Sequence, residues 1–322
     1  MSGTPQLKRQ VPFIAGLVLI LAALPLGYFF FLREAPPPPP IVEPVKPPPP
    51  VVQTPEPAKA VRLEITEVSG TVEKKAEDGT WVTVGKGETL GAAESVRTLN
   101  GSYAVIIGSE SVEIRMEPGT EVTVEELTDS VSRMMLGSGM ATTKVLTGKG
   151  HTIEFKAAGS DAMARATEPG TFTMSNDGAG TVAVGSRSGQ VEFIGSGKVV
   201  IVRAGQQSVV RPGGAGPSEP TPVPTSLLRK VQWPASRQNK REITVRGEAE
   251  PGSRLEVAGK AFSPDKDGTF VQTLKLEEGE NEVKVRAVSV GGTAQEDQRK
   301  FDVDTRPPKT RIKPLFQNSG GQ

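Results

Sequence analysis

The sequence predicts an all-β protein in which a single N-terminal transmembrane helix precedes a β-sandwich or roll domain and then a smaller β-sandwich. Three observations support this prediction. From residue 61 onward, short runs of alternating apolar and polar residues recur between glycines roughly every ten residues, which is typical of an all-β sandwich or roll. The same stretch has no sustained helical period. Residues 11–32 form one uncharged apolar run.

The composition excludes several functional classes. Lys and Arg number 38 and Asp and Glu number 37, so the formal net charge is +1 and a nucleic-acid partner is not expected. The chain has no cysteine and a single histidine, His151, which excludes disulfides, thiolate zinc sites and multi-histidine metal sites. We therefore predict no catalytic residue, no metal site, no cofactor and no enzymatic activity.

The apolar run from Val11 to Leu32 has 22 residues without a charge. A helix of that length would be about 33 Å long, enough to cross the hydrocarbon core of a membrane. Lys8 and Arg9 precede the run, so the positive-inside rule predicts that residues 1–10 form a cytoplasmic tail. The alternative is a cleaved signal peptide, but Arg33 stands where a small residue would be needed for cleavage. These features predict a single-pass protein of the bacterial inner membrane with periplasmic C-terminal domains.

Residues 33–60 are a proline-rich linker, with twelve prolines between Pro36 and Pro57. Such a segment favours polyproline II and has few N–H groups for a sheet, so we predict a stiff spacer. A ligand for a proline-reading partner is the alternative.

Residues 61–212 form the first predicted β domain, with about a dozen short strands. Asp78 and Gly79 lie between two alternating runs and predict a tight hairpin. This stretch resembles the FecR-type periplasmic domain through ordered, glycine-punctuated motifs: Gly70 to Val72, Trp81, Gly87, Leu90, Val96 to Thr98, Gly101, Ser102, Gly170 to Phe172, Gly189 to Val191 and Ala204 to Gln206. The resemblance implies a periplasmic β domain. It also implies control of a sigma factor by a cytoplasmic segment, for which the ten residues before the helix give no room.

A second linker is predicted at residues 213–230, where glycine and proline are frequent and no apolar period is present. The module that follows, residues 231–307, resembles the bacterial Ig-like domain found beside glucodextranase, through Gly247 to Gly252, Asp267 to Phe270 and Leu276 to Asn281. This resemblance implies an immunoglobulin-like spacer or adhesion module without catalytic residues. Residues 308–322 are predicted to be a flexible tail.

Three local motifs suggest chemistry but have simpler interpretations. The segment from Gly195 to Lys198 is similar to a phosphate-binding loop, yet it lacks the hydroxyl ligand and lies between two strand-like runs, which favours a hairpin turn. The segment from Asp265 to Gly268 begins like a calcium loop, but Leu276 stands where the closing carboxylate is needed, which favours a turn. His151 is interpreted as an exposed or edge residue.

Residues 125–148 form a segment longer than the resembled domain needs, and this segment concentrates methionines. Met134, Met135, Leu136 and Met140 lie here beside glycines. A flexible methionine-rich loop can repack against varied apolar partners, so we predict a partner-binding surface at these four residues. Ordinary packing of a longer hairpin is the alternative.

Together these features predict a non-enzymatic, membrane-anchored envelope protein whose periplasmic β domains bind an envelope protein or polysaccharide partner. The alternative function is a FecR-type transmembrane signal transducer that acts with a separate regulator. A carbohydrate-active enzyme is a third, weaker alternative, because the spacing of carboxylates in space cannot be read from the sequence.

Overall fold

The structure, a computed structural model, describes residues 11–29, 62–108, 112–146 and 150–307. The chain divides after Ala58 into two units, of which the first holds the helix and the second holds the β-structure. The described residues are mostly in strands, and they include one short N-terminal helix.

Helix α1 covers Val11–Gly27 and includes Pro25 near its end. Its large apolar side chains are exposed, from Leu17 at 53% to Leu19 at 73%. Among the helices within the described ranges, none has both the length and the apolar character needed to cross a membrane. Residues 30–32 of the predicted transmembrane segment and the whole predicted linker at residues 33–60 lie outside the described residues. Membrane insertion therefore stays a prediction.

The first β module is built from two sheets that share one long strand. Sheet A consists, in spatial order, of β4 (Thr89–Leu90), β1 (Leu63–Ser69), β6 (Tyr103–Gly108), β7 (Val112–Met116), the second half of β9 (Val131–Val145), β12 (Gly170–Asn176), β13 (Val182–Ser188), β16 (Gln206–Val210) and β17 (Thr221–Pro222). Sheet B consists of β3 (Trp81–Val84), β2 (Val72–Lys75), β5 (Ser95–Thr98), β8 (Glu121–Leu127), the first half of β9, β10 (Thr152–Ala157), β11 (Met163–Ala166), β14 (Gln190–Gly195) and β15 (Lys198–Arg203). Neighbouring strands are antiparallel, except that β9 and β10 are parallel.

The core of this module lies between the two sheets. Strand β7 shows why these residues form strands, because Val112, Ile114 and Met116 are buried while the alternate residues are partly exposed. Phe155 of sheet B meets Phe172 of sheet A edge to face, with ring centroids 6.4 Å apart. The result is a sandwich-like arrangement with one continuous apolar core.

Strand β9 passes from sheet B to sheet A at a glycine bend. Leu136 pairs with β8 in sheet B, whereas Met140 pairs with β12 in sheet A. Gly139 has φ of 99°, and a Cβ there would lie 2.5 Å from the Cα of Thr120, so only glycine fits. The prediction of a flexible loop in residues 125–148 is therefore wrong: most of the segment is strand, and residues 147–149 lie outside the described residues.

The second β module also has two sheets. Sheet C consists of β18 (Leu228–Gln232), β20 (Glu242–Ala249) and β23 (Thr269–Lys275). Sheet D consists of β19 (Arg237–Gln238), β25 (Ala294–Val303), β24 (Gly279–Val288), β21 (Arg254–Val257) and β22 (Lys260–Phe262). A second apolar core is formed by side chains from both sheets, among them Val245 and Phe301.

The segment predicted as a linker, residues 213–230, contributes to both modules. Thr221–Pro222 pairs with β16 of the first module. Leu227 and Leu228 are buried in the core of the second module, so that module begins before residue 231. The search for an apolar period in the sequence missed Leu227 and Leu228, because two adjacent leucines show no period.

Candidate partner-binding site

The two β modules pack against each other through a small apolar cluster. Met140 and Ala183 of the first module and Val290 of the second are each at most 2% exposed. The approach is close at Gly185, where a Cβ would lie 2.8 Å from the carbonyl carbon and oxygen of Val290. A glycine within a strand often marks such a close approach of another backbone.

Arg254 is the main polar contact between the modules. Its Nη2 donates hydrogen bonds to the carbonyl oxygens of Pro118, at 3.1 Å, and Gly119, at 2.8 Å, both in the first module. Its Nη1 donates to Ser263 Oγ within the second module. Burial lowers the pKa of Arg254 to about 10, which leaves the side chain charged at neutral pH. A partly buried guanidinium that bonds backbone carbonyls restricts the orientation of the two modules.

Two further hydrogen bonds join the modules. Ser175 Oγ donates to the carbonyl oxygen of Gly252 at 2.6 Å, and both residues are buried. The backbone N–H of Ala261 donates to Asn100 Oδ1 at 3.1 Å. Apolar packing, the Arg254 contacts and these bonds together hold the two β modules in one arrangement.

A cleft of about 590 Å³ lies beside this interface. One wall comes from the first module, through Asp177, Ala179 and Pro212. The other wall comes from residues 262–266 and 269–271 of the second module and includes Phe262. Clefts of this size with apolar walls are common binding sites.

Strand β23 borders the cleft and forms one edge of sheet C. Val271, in this strand, is 61% exposed, more than any other large apolar side chain described in the β modules. At the other end of β23, a second depression is lined by Lys240, Arg241, Glu242 and Lys275, together with the adjoining strand residues. The edge of β23 therefore runs from an apolar cleft to a mainly basic surface.

The structure places the four predicted partner-binding residues in three different environments. Met134 and Leu136 are fully buried in the core of the first module, and Met140 is buried in the intermodule cluster. Met135 faces the outside of sheet B and is partly exposed. Burial favours the packing alternative for three of the four, since a side chain without exposed surface offers nothing to a partner. Partner binding by Met135 stays a prediction.

The other sequence candidates have structural partners. The ring of His151 lies between Ser132 Oγ and the carbonyl oxygen of Asp129, each 2.9 Å away, and Ser132 is only 3% exposed, so a substrate cannot reach its oxygen. The segment from Gly195 to Lys198 is the turn between β14 and β15. Asp265 Oδ1 accepts hydrogen bonds from the N–H groups of Asp267 and Thr269 and so organises a turn. Across the described residues, no cluster of acidic or histidine side chains could hold a metal ion.

Glu154 is the most buried charged side chain in the ion pairs of sheet B. Its carboxylate accepts hydrogen bonds from Arg133 Nε at 2.7 Å and Arg165 Nε at 3.0 Å. Burial acts to raise the pKa of Glu154, but the two arginines outweigh it and hold the pKa below its ordinary value. These ion pairs link the three neighbouring strands β9, β10 and β11.

Sequence reasoning missed the residues that join the modules. Gly185 follows the run Val182 to Val184, and a glycine within such a run was the available signal for a close backbone approach. For Arg254 the sequence carries no such signal, because an arginine in a strand is usually exposed.

The comparisons with known proteins give structural likenesses of low similarity. No protein-family model and no curated protein matches the chain. Two crystal structures of a candidate anti-sigma factor from Parabacteroides distasonis match at 15% and 16% identity, with a TM-score of 0.35, over 40% of this chain. The chain spans 59% of the length of those structures. A polysaccharide lyase matches at 7% identity and a TM-score of 0.20, over 74% of this chain and 40% of its own. At these TM-scores the likenesses carry no argument about function.

Proposed function

We propose that this chain is a non-enzymatic, membrane-anchored envelope protein that presents a jointly packed pair of β modules to a partner. The observation that carries the proposal is the contrast between the two units. The first has a helix whose large apolar side chains are exposed, and the second has two β modules that together line an open cleft.

The first unit supports the anchoring part of the proposal. A helix that is apolar all round needs an apolar environment. In α1 the large side chains from Leu17 to Leu26 are more than half exposed. The uncharged run continues in the sequence to Leu32, and Lys8 and Arg9 before it favour a cytoplasmic N terminus. On this proposal the β modules lie in the periplasm.

The second unit supports the binding part of the proposal. The two carboxylates that line the cleft, those of Asp177 and Asp265, accept hydrogen bonds from backbone N–H groups of their own turns. The cleft walls are otherwise mainly apolar, with Phe262, Pro264 and Val271 on one side. Such a surface suits a protein partner better than a sugar, since none of the described tryptophan or tyrosine residues lines it as a stacking platform. The FecR-type signal transducer remains the alternative function.

Membrane fractionation tests the anchor. The intact chain should stay with membranes through carbonate extraction, and replacement of Leu19 and Leu24 by arginine should release it, because charges at the centre of a span are costly. The matched control carries arginine at two exposed positions of the β modules, Val82 and Val199. Release of the unaltered chain would contradict the anchor.

Chemical crosslinking in intact cells tests the binding. The expected result is a discrete envelope adduct that the intact chain forms and that the variant with two arginines in the helix loses. A chain that yields no adduct, or one that hydrolyses envelope polysaccharides, would contradict a non-enzymatic binding function.

A further inference from the structure

Among the described strands that stand last in the order of a sheet, β23 is the longest, with seven residues. Edge strands are usually protected by charge, proline, bulges or shortness. Here the other long edge, β15, is bounded by Lys198 and Arg203, whereas β3 has only four residues. Strand β23 has no charge before Lys275, no proline, and an unbroken register with β20.

The hydrogen-bond pattern shows which backbone groups of β23 face outward. The N–H of Leu276 donates to the carbonyl oxygen of Arg241, and the carbonyl oxygen of Gly268 accepts from the N–H of Ala249. Leu276 and Gly268, which flank β23, therefore bond toward β20. Antiparallel pairs alternate between bonded and non-bonded positions. When this alternation is followed along β23 from either of these two residues, the N–H and C=O groups of Val271, Thr273 and Lys275 point away from β20.

These outward groups have no partner among the described residues. The next group in the series, Thr269, differs, because its N–H donates to Asp265 Oδ1 and its C=O accepts from the N–H of Asp265. Three alternate residues of β23 therefore keep unpaired N–H and C=O groups, and each of the three has an exposed side chain. This is the template that a further strand requires.

The surroundings of the edge favour one kind of occupant. On the side of Val271, the residues Asp177, Ala179 and Pro212 of the first module form the opposite wall of the cleft, whose volume of about 590 Å³ suits the side chains of one extended chain rather than a folded sheet. On the side of Lys275, the described residues offer no ion pair to Lys240 or Lys275. This end therefore suits an acidic side chain.

Segments of this chain itself are poor candidates for the strand that pairs with the edge of β23. The run between Pro36 and Pro57 has twelve prolines, each without an N–H donor. The tail after Pro307 carries Lys309, Arg311 and Lys313 with no acidic residue, so it has the same charge as the end of β23.

We infer that the edge of β23 binds an extended segment of a partner polypeptide as an added strand, with an apolar side chain in the cleft beside Val271 and an acidic side chain near Lys275. This inference rests on the proposed binding function and names the class of partner. Main-chain hydrogen bonds to Val271, Thr273 and Lys275 supply affinity, and the two ends of the groove supply selectivity.

A synthetic peptide tests the inference on the full chain in detergent. The probe is a fluorescein-labelled nonapeptide of alternating threonine and valine with an N-terminal glutamate, and the measurement is fluorescence anisotropy. A second probe carries N-methyl groups on alternate residues, which removes its N–H donors. Loss of two or three hydrogen bonds should weaken binding by about tenfold or more.

Two substitutions at one position provide the matched protein test. Thr273→Pro removes an outward N–H and leaves the β20 ladder intact, so it should weaken binding of the first probe about tenfold. Thr273→Val keeps the N–H and should change binding by less than about twofold. Equal binding of both probes, or equal binding by both variants, overturns the inference. A chain that elutes as a dimer and becomes monomeric with Thr273→Pro would also overturn it, because the occupant would then be a second copy.

A photo-crosslinking amino acid in cells separates this inference from the proposed function. Placed at Val271 it should capture the partner seen by chemical crosslinking, and placed at Val199, an exposed valine on a different edge, it should not. Chemical adducts without capture at Val271 would overturn the β23 site while the binding function stands. Absence of any chemical adduct would instead refute the binding function.

Discussion

Replacement of Gly185 by alanine tests how the two β modules are packed. The added Cβ would lie 2.8 Å from the carbonyl carbon and oxygen of Val290 and 2.9 Å from its Cγ2. The backbone of Gly185 does not have a positive φ, so the substitution acts through steric overlap and not through backbone strain.

The expected loss of stability follows from the contact that the added Cβ would disrupt. Two of the three close atoms belong to the backbone of Val290, which cannot rotate away as a side chain end could. Overpacking of this kind costs about 1–3 kcal/mol. With roughly 2–4 °C of Tm per kcal/mol for domains of 150–250 residues, we expect Tm to fall by about 2–12 °C.

Thermal unfolding followed by circular dichroism is the assay, and Gly85→Ala is the matched control. Gly85 also lacks a positive φ, but no atom of the described residues lies within 4 Å of its added Cβ, so the Tm of this variant should stay the same or rise slightly. Equal Tm values for the two variants would refute the close contact at Val290, and with it the described packing of the modules.

The remaining predictions concern Arg254, the methionines and Glu154. Arg254→Ala leaves the partly buried carbonyls of Pro118 and Gly119 without this donor and should lower the free energy of unfolding by about 2–4 kcal/mol in a denaturant titration; an unchanged midpoint would contradict its bridging role. Met134→Ser should cost about 2–5 kcal/mol and Met135→Ser under about 1 kcal/mol, and similar losses for both would contradict their different burial. Because the folded pKa of Glu154 is lowered, its stabilisation is present above the unfolded pKa of about 4.3 and is lost as pH falls through the folded pKa. Glu154→Gln should therefore flatten the stability profile below about pH 5, and an unchanged profile would exclude this contribution.

Local patterns predicted much of the secondary structure. Asp78 and Gly79 predicted a hairpin, and β2 and β3 pair on either side of them. Alternation at period two predicted strands such as β7, because side chains in a strand point to opposite faces and each sheet buries one face. The turn interpretations at Gly195 to Lys198 and Asp265 to Gly268 rested on nearby residues and are confirmed.

The same patterns failed where the outcome depended on distant residues. The glycines around Met140 suggested a flexible loop, but they let β9 bend from one sheet into the other. Leu227 and Leu228 looked like linker residues because their core partners lie in other strands.

The sequence by itself determined the fold class, the N-terminal apolar run and most turns, since each depends on the φ preferences and polarity of neighbouring residues. Only the tertiary structure decided which methionines are buried, how Gly185 and Arg254 join the modules, and that the edge of β23 stays open. The physical reason is that the local pattern of apolar and polar residues indicates which face of a strand is buried. The strand or module that covers that face comes from distant positions in the chain.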